Sequence, residues 1–218
     1  MPRPLATLRA GFTLIELLAV MLIIGILATF IVPRIPFVVE RANITACRKN
    51  LDSIGQGLLE YQAKYKKWPS ESGVAFFAAL ILDKVWENTP QNAKTLTCPS
   101  IQYDALGGLY GLQPEEWFTD RDSIGGEHSA YAGRNMADHA LRKRVASGKE
   151  VLVADDNDGG GQPMPNHPTT TLALMGDFTV REYELVDLQK AGLIDEEEEV
   201  LVVGPESPLP ELQRLSLD

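Results

Sequence analysis

The chain has 218 residues and a formal net charge of −10, from 20 basic and 30 acidic side chains. A nucleic-acid-binding protein needs a basic surface, so this balance argues against a DNA or RNA partner. Residues 193–218 account for most of the acidity, because they hold eight acidic side chains and one arginine, a net of −7. Beyond residue 68 about 150 residues remain, which is enough for one domain with its own core.

One acidic residue stands at the head of the long apolar run near the N-terminus. Residues 12–32 carry no charge except Glu16, and as a helix they would span about 31 Å, close to the ~30 Å hydrocarbon core of a bilayer. A secretory signal peptide has a shorter apolar region, and its small residue follows that region, whereas Gly11 precedes it here. A plain signal anchor, oriented by Arg3 and Arg9, explains the topology but leaves Glu16 without a role.

Residues 11–16 read Gly-Phe-Thr-Leu-Ile-Glu and run directly into the apolar stretch. This pattern resembles the N-terminal cleavage and methylation motif of type IV pilins and type II secretion pseudopilins. The resemblance implies that a prepilin peptidase removes residues 1–11 by cutting between Gly11 and Phe12, and that the new α-amino group of Phe12 is then N-methylated. It also implies an assembly role for Glu16, which would pair with that amine on its own or a neighbouring subunit and so offset its burial in lipid.

Helical periodicity continues beyond the apolar run. We predict one helix from Phe12 to Lys66, with a transmembrane part at 12–33, a kink at Pro33 and an amphipathic part at 34–68 that packs on a soluble head. A coiled-coil dimer is the alternative for the amphipathic part. The apolar stripe recurs in steps of three and four, at Ile44, Cys47, Leu51, Ile54, Leu58, Tyr61, Tyr65 and Trp68.

Residues 69–192 are predicted to form the head. A short helix is expected at 74–85, and strands are expected at 150–155, 170–175 and 178–183, the last two joined by a two-residue turn at Gly176-Asp177. A long helix packed on a small antiparallel sheet is an α+β arrangement of the pilin-like kind. The acidic segment 193–218 is predicted to be a partly disordered tail, although 200–203 could add an edge strand.

Two short motifs in the head are similar to those of a pseudopilin-like family with large heads. That family has a Cys-Pro-Ser segment, found here at 98–100, and a C-terminal His-x9-Asp-Gly motif, found here as His167 followed by Asp177. Phe178 stands where the motif has glycine, so the motif does not decide the conformation of the turn at this position. We expect His167 to orient its loop by hydrogen bonds.

The two cysteines, Cys47 and Cys98, permit two interpretations. A disulfide would join the long helix to the head if the head lies outside the cytoplasm, where such bonds persist. Alternatively, Cys47 is a free thiol on the apolar stripe, where cysteine packs as a small hydrophobic side chain. The spacing alone does not decide between them.

The sequence Asp-Asp-Asn-Asp-Gly-Gly-Gly at 155–161 is the candidate metal site. Asp155, Asp156 and Asp158 offer the oxygen ligands that calcium prefers, and major pseudopilins bind calcium in a C-terminal loop. The spacing lacks the glutamate that ends an EF-hand, and Asp, Asn and Gly fit turns well, so the pattern favours a solvated acidic turn over a calcium site. The three histidines have no zinc-type spacing, and no nucleophile, Walker A or dinucleotide motif is present, so we expect no enzymatic activity.

Taken together, the motifs imply a pseudopilin, a structural subunit of a type II secretion pseudopilus. The resemblance places the chain in the bacterial inner membrane as a single-pass protein with a periplasmic head. Its expected partners are other pseudopilins, the prepilin peptidase, and an inner-membrane assembly platform with its ATPase. The alternatives are a subunit of a type IV or competence pilus, and a membrane-anchored binding protein that does not polymerise.

Overall fold

The computed structural model describes residues 12–142, 147–156 and 166–218. The chain divides into two compact units, Met1–Arg41 and Ala42–Asp218. The first unit contains helix α1, Leu14–Ile31, a 3₁₀ turn at Val32–Arg34 and the start of helix α2, Ile35–Tyr65. Within the described ranges, no residue of α1 is buried.

The helical segment Leu14–Tyr65 is long and apolar enough to cross a membrane, as judged by length and composition. Its α-helical hydrogen bonding is interrupted at Pro33, inside the 3₁₀ turn, where the Ile35 amide donates to the Val32 carbonyl. The physical reason is that proline has no amide hydrogen and its ring crowds the preceding turn. The interruption therefore falls at the proline for which the sequence predicts a kink.

Within the second unit, the predicted stripe of α2 forms part of the core. Seven of its eight residues are buried, while Tyr65 is 37% exposed and donates its hydroxyl to the Asp83 carbonyl at 2.6 Å. The helix ends because Lys66 adopts a left-handed conformation with φ of 58°. Trp68 lies beyond the helix but stays in the core, stacked on Phe76 and Phe178 at centroid distances of 6.4 and 6.2 Å.

A five-stranded antiparallel sheet forms the rest of the framework. The α+β prediction of a long N-terminal helix with a small antiparallel sheet is therefore confirmed. Three short helices accompany it: α3, Gly73–Leu82, α4, Pro90–Thr95, and α5, Leu185–Lys190. The strands are β1, Tyr131–Arg134; β2, Val151–Asp155; β3, Thr170–Met175; β4, Val180–Glu184; and β5, Leu215–Ser216. Their order across the sheet is β4-β3-β2-β1-β5.

Strands β1 and β5 are not predicted from the sequence. The first has only four residues, Tyr-Ala-Gly-Arg, and includes a glycine and an arginine that are unusual in a buried strand. The second is two residues long and pairs with β1 at Gly133–Ser216 and Arg134–Leu215. The edge strand suggested for 200–203 is replaced by β5, so that prediction is wrong.

The β3–β4 hairpin differs from the predicted two-residue turn. Met175 closes it, because its amide donates to the Thr179 carbonyl at 2.8 Å and its carbonyl accepts from the Phe178 amide at 2.9 Å. The loop therefore has three residues, 176–178, and Phe178 has a φ of 64°. Three-residue hairpin loops place their last residue in the left-handed region, which is where the family motif has glycine.

The segment 193–218 also departs from the prediction of a partly disordered tail. Its buried apolar side chains cover one face of the sheet, while α2 and α3 cover the other. Leu172 and Leu174 of β3 face the helices, whereas Ala173 and Met175 face the segment. The acidic side chains of the segment are exposed except that of Glu211, which is half-buried. The charge pattern therefore led to a wrong prediction for a segment with six buried apolar residues: Ile194, Leu201, Val203, Leu209, Leu212 and Leu215.

Candidate functional site

The first site is the start of α1. Thr13 is its N-cap, and its amide and hydroxyl both donate to Glu16 Oε2, at 2.8 and 2.7 Å. The Glu16 amide donates in turn to Thr13 Oγ1 at 3.3 Å, which completes a capping box. Phe12 precedes it and is 78% exposed. Gly11, the predicted cleavage residue, lies outside the described residues.

This geometry gives Glu16 a local partner in the chain that still carries residues 1–11. The carboxylate accepts from the amide and the hydroxyl of Thr13 at the helix N-terminus, where negative charge is also favoured by the helix dipole. Cleavage after Gly11 would place a positive amine on Phe12, one residue before the cap.

The second site lies in the core of the head, where four metal-ligating side chains converge. They are Cys47, Cys98, Asp155 and His167, and one ligand atom of each lies within 4.8 Å of those of the other three. All four are buried, with exposures of 0, 0, 0 and 1%. The four residues belong to four separate segments of the sequence, so they form no short motif that would indicate the cluster.

Each member is placed by a different element. Cys47 comes from the buried stripe of α2, and Asp155 ends β2. Cys98 follows α4 in a turn whose Ser100 hydroxyl donates to the Asn166 carbonyl at 2.7 Å. That bond, together with one from Asn166 Nδ2 to the Ala130 carbonyl at 2.6 Å, fixes the residue immediately before His167.

Distances within the cluster are short. The Cys47 sulfur lies 3.1 and 3.2 Å from the two carboxylate oxygens of Asp155 and 3.2 Å from the Tyr131 hydroxyl. His167 Nε2 lies 3.5 Å from the Cys98 sulfur and 3.8 Å from Asp155 Oδ2. Ser100 Oγ lies 2.8 Å from the Cys98 sulfur on its other side.

Burial shapes the proton affinities of these groups. It raises the pKa of Cys47, with further increases from the contact with Cys98 and the charge of Asp155. Burial also raises the pKa of the Asp155 carboxyl, and a negative Cys98 raises it further. For Cys98, hydrogen bonds with Cys47 and His167 outweigh burial and lower the pKa of the thiol. The cluster thus concentrates negative charge at the Cys98 sulfur.

The trio of Cys98, His167 and Asp155 does not have the geometry of a nucleophilic triad. In a triad the base accepts from the nucleophile through one ring nitrogen and donates to the acid through the other. Here Cys98 and Asp155 both approach Nε2 of His167. The Cys98 sulfur is also fully buried, out of reach of a substrate.

The predicted disulfide is not formed here, since Cys47 and Cys98 are both free cysteines. Their sulfur atoms nevertheless lie within 4.8 Å of each other, and a disulfide would bring them to ~2.05 Å. The disulfide therefore stays a prediction that a thiol count can test.

The predicted calcium ligands are divided between environments. Asp155 has both oxygens against a thiol inside the core, and Asp156 is 6% exposed. Asp158 lies outside the described residues. Calcium prefers six to eight oxygen ligands, so the sulfur-rich surroundings of Asp155 do not suit it.

The residues His167 and Asp177 of the large-head motif lie in different settings. His167 belongs to the buried cluster, so the expectation that it merely orients a loop understated its surroundings. Asp177 is exposed in the β3–β4 hairpin, where its Oδ1 accepts from the Thr179 amide at 3.1 Å and hydroxyl at 2.7 Å. Those bonds lower the pKa of the Asp177 carboxyl.

Comparison with known proteins identifies the N-terminal site. Residues 7–32 match the prokaryotic N-terminal methylation motif. The chain carries a prepilin-type processing motif. This match covers Gly11, Phe12 and Glu16 together with most of the apolar run, and it confirms the resemblance to pilins and pseudopilins on which the sequence prediction relied.

Two relatives share a name, type II secretion system core protein G. The chain is 28% identical to the protein of Pectobacterium carotovorum subsp. carotovorum over 120 residues, which are 54% of this chain and 69% of that protein. It is 34% identical to the protein of Pseudomonas aeruginosa over 62 residues, 28% of this chain and 44% of that protein. No solved structure matches significantly. Together with the apolar helix, these relatives support membrane anchoring through the prepilin-type segment.

Proposed function

We propose that this chain is a pseudopilin, a structural and non-enzymatic subunit of a type II secretion pseudopilus. It is cleaved after Gly11, N-methylated at Phe12 and assembled with other pseudopilins through its N-terminal helix, and the filament supports protein export across the outer membrane. The observation that carries this proposal is the methylation motif running into a helix whose apolar side chains are left uncovered by the described residues.

The exposed surface of α1 explains why assembly would follow. Large apolar side chains cover all sides of the helix, and examples such as Leu14 at 77%, Phe30 at 70% and Leu22 at 66% are far too exposed for a water-soluble protein. Lipid satisfies this surface before assembly, and neighbouring copies of the helix satisfy it afterwards. The same surface therefore serves as an anchor and as an assembly interface.

Glu16 provides the register. A carboxylate in lipid costs roughly 2.5–3.5 kcal/mol near the centre of a helix and less near its end. The capping box with Thr13 offsets part of this cost in the single chain, and the methylated amine of Phe12 in an adjacent subunit offsets more. Subunits that place the two charges together are thus favoured over those that slide past each other.

In this proposal the helix crosses the bacterial inner membrane once and the head, 42–218, lies in the periplasm. The prepilin peptidase processes the chain, and a platform protein with its ATPase drives assembly. The name of the two relatives favours a secretion pseudopilus over a type IV or competence pilus.

The proposal is tested by expressing the full chain with a type II secretion system and its prepilin peptidase. Mass spectrometry should find an N-methylated Phe12 as the first residue. Cysteines introduced at the exposed positions Leu22 and Ile26 should crosslink neighbouring chains into a ladder, and loss of the gene should block secretion. Cleavage without a ladder would instead indicate a membrane-anchored binding protein, and a ladder with normal secretion would indicate a pilus.

Glu16→Ala separates processing from assembly in the same experiment. The variant should be cleaved but give no ladder. Thr13→Ala is the matched control, because it removes the two hydrogen bonds of the Thr13 hydroxyl, at a cost of about 1 kcal/mol, and keeps the Glu16 carboxylate and its bond from the amide of residue 13. A ladder of wild-type length from Glu16→Ala would contradict the register role.

A further inference from the structure

We infer that the buried cluster of Cys47, Cys98, Asp155 and His167 is a structural zinc site in the head. It is independent of the filament proposal, because all four residues lie within the unit Ala42–Asp218. The inference rests on the donor set, its geometry and its burial.

The geometry fits a tetrahedral ion. With metal–sulfur bonds of ~2.3 Å and metal–nitrogen or metal–oxygen bonds of ~2.0–2.1 Å, the edges of such a tetrahedron measure about 3.3–3.8 Å. The observed separations are 3.1 Å from the Cys47 sulfur to Asp155, 3.5 Å from the Cys98 sulfur to His167, and 3.8 Å from His167 to Asp155, each within about 0.5 Å of such an edge. All four donors lie within 4.8 Å of one another, so small side-chain shifts would bring them all to one ion.

The donor set selects the metal. Two thiolates exclude calcium and magnesium, which require oxygen ligands. A single imidazole does not provide the two histidines and one cysteine of a blue-copper site. Two sulfurs, one nitrogen and one carboxylate oxygen suit zinc, and the complete burial of the four residues corresponds to a closed structural site without an open coordination position.

Burial supplies the energetic argument. A carboxylate removed from water is costly unless it is paired or bound to a metal. Asp155 is fully buried, and so are the two sulfurs beside it. When the two thiols and the carboxyl lose their protons to bind a divalent cation, the cation offsets the negative charge that these buried groups acquire.

Neighbouring polar groups would hold the ligands in place, as they do around bound metals. Ser100 Oγ contacts the Cys98 sulfur at 2.8 Å, and the Tyr131 hydroxyl contacts the Cys47 sulfur at 3.2 Å. Zinc at this point would link α2, the turn after α4, β2 and the segment before β3. It would also keep two nearby sulfurs from forming a disulfide in an oxidising compartment.

The test measures metal on the full chain purified in detergent. After incubation with zinc sulfate under reducing conditions and removal of unbound metal, the wild-type chain should retain one zinc ion. Cys98→Ala and His167→Gln should lower the retained zinc about tenfold or more. His139→Gln is the control, because His139 is an exposed histidine of the same domain and its replacement should leave the zinc content unchanged.

If the variants do not fold, replacing zinc by cobalt in the wild-type chain still tests the inference. Wild-type chain loaded with Co²⁺ should show the visible absorption of a tetrahedral ion and thiolate charge-transfer bands. Absence of these bands, or a wild-type chain that retains no zinc, would overturn the inference. Peptide mapping without reductant then tells which alternative holds, a Cys47–Cys98 disulfide or two free thiols.

Discussion

The backbone of Gly133 in β1 lies directly against the carbonyl oxygen of Gly73 at the start of α3, with no room for a Cβ atom between them. Gly73 itself has a φ of 61°, and the amide of the next residue, Val74, donates to the Leu217 carbonyl at 3.0 Å. Three segments far apart in the sequence therefore meet at one point. This contact fixes how α3 docks on the sheet.

We expect Gly133→Ala to destabilise the head by at least about 2 kcal/mol, because the added methyl group meets backbone rather than a movable side chain. The measurement is urea denaturation of the full chain in detergent, followed by tryptophan fluorescence.

Gly55→Ala is the matched control for this substitution. Its added methyl group would lie 3.0 Å from Leu174 Cδ1, the end of a flexible side chain that can shift. We expect a change below about 1 kcal/mol, since alanine also has the higher helix propensity. Equal losses at both positions would show that the Gly73 contact is not the constraint.

Acid should weaken the head through Glu150. Its Oε2 lies 2.7 Å from Arg134 Nη2 and 2.7 Å from Arg214 Nη1, which links β1, the residue before β2, and the segment leading to β5. Partial burial raises the pKa of Glu150, but the contacts with Arg214 and Arg134 outweigh burial and lower it. A lowered pKa in the folded state means that the stabilisation is present above the unfolded-state pKa and is lost as the pH falls through the folded-state value.

Glu150→Gln isolates this contribution. At pH 7 we expect a loss of roughly 3 kcal/mol, because the change leaves the guanidinium of Arg134, 3% exposed, without its charged partner. The difference between wild type and variant should shrink as the pH falls below about 4.3. A difference that stays constant between pH 7 and pH 3 would contradict the ion-pair explanation.

Phe178 combines a strained backbone with a useful side chain. Its left-handed φ costs about 1–2 kcal/mol, while its ring stacks on Trp68 and borders Gly55. We expect Phe178→Gly to relieve the strain but to lose more in packing, for a net destabilisation of about 1–2 kcal/mol.

Phe178→Ala is the comparison, because it loses the packing and keeps the unfavourable backbone conformation. It should therefore be less stable than the glycine variant when both are measured by the same urea titration. A more stable alanine variant would show that the backbone conformation carries no cost.

The leucines of the segment 193–218 provide a direct test of its packing. Leu212 is fully buried against the sheet, so Leu212→Ala should cost about 2–5 kcal/mol. Leu193 is 53% exposed, and Leu193→Ala should change stability by less than about 0.5 kcal/mol. Near-zero effects at both positions would indicate that the segment is a solvated tail after all.

Local patterns predicted those parts of the fold that depend on neighbours in the sequence. The α2 stripe repeats every three or four residues, so its buried face could be recognised, and β3 was located by its apolar run. The hairpin loop was misjudged because Gly176-Asp177 fits a two-residue turn and a phenylalanine is an improbable left-handed residue. The short β1 and β5 exist through their partners, which no local pattern records.

The two sites show the same division. Gly11, Phe12 and Glu16 lie close together in the sequence, so their motif could be recognised from the sequence alone. Cys47, Cys98, Asp155 and His167 lie on four segments, and their convergence required the register of β2 against β3 and the docking of α2. The sequence feature that could have indicated the cluster is its chemistry. The two cysteines of the chain and one histidine stand at apolar or turn positions.

The pairing of β5 with β1 has a consequence for how the head is made. While the chain is being synthesised, β1 appears long before Leu215 and Ser216 do, and its outer edge stays open until they arrive. An open strand edge is a template for wrong partners. A polypeptide interrupted before residue 215 would keep this edge open, so we expect it to aggregate more readily than the chain with a completed sheet.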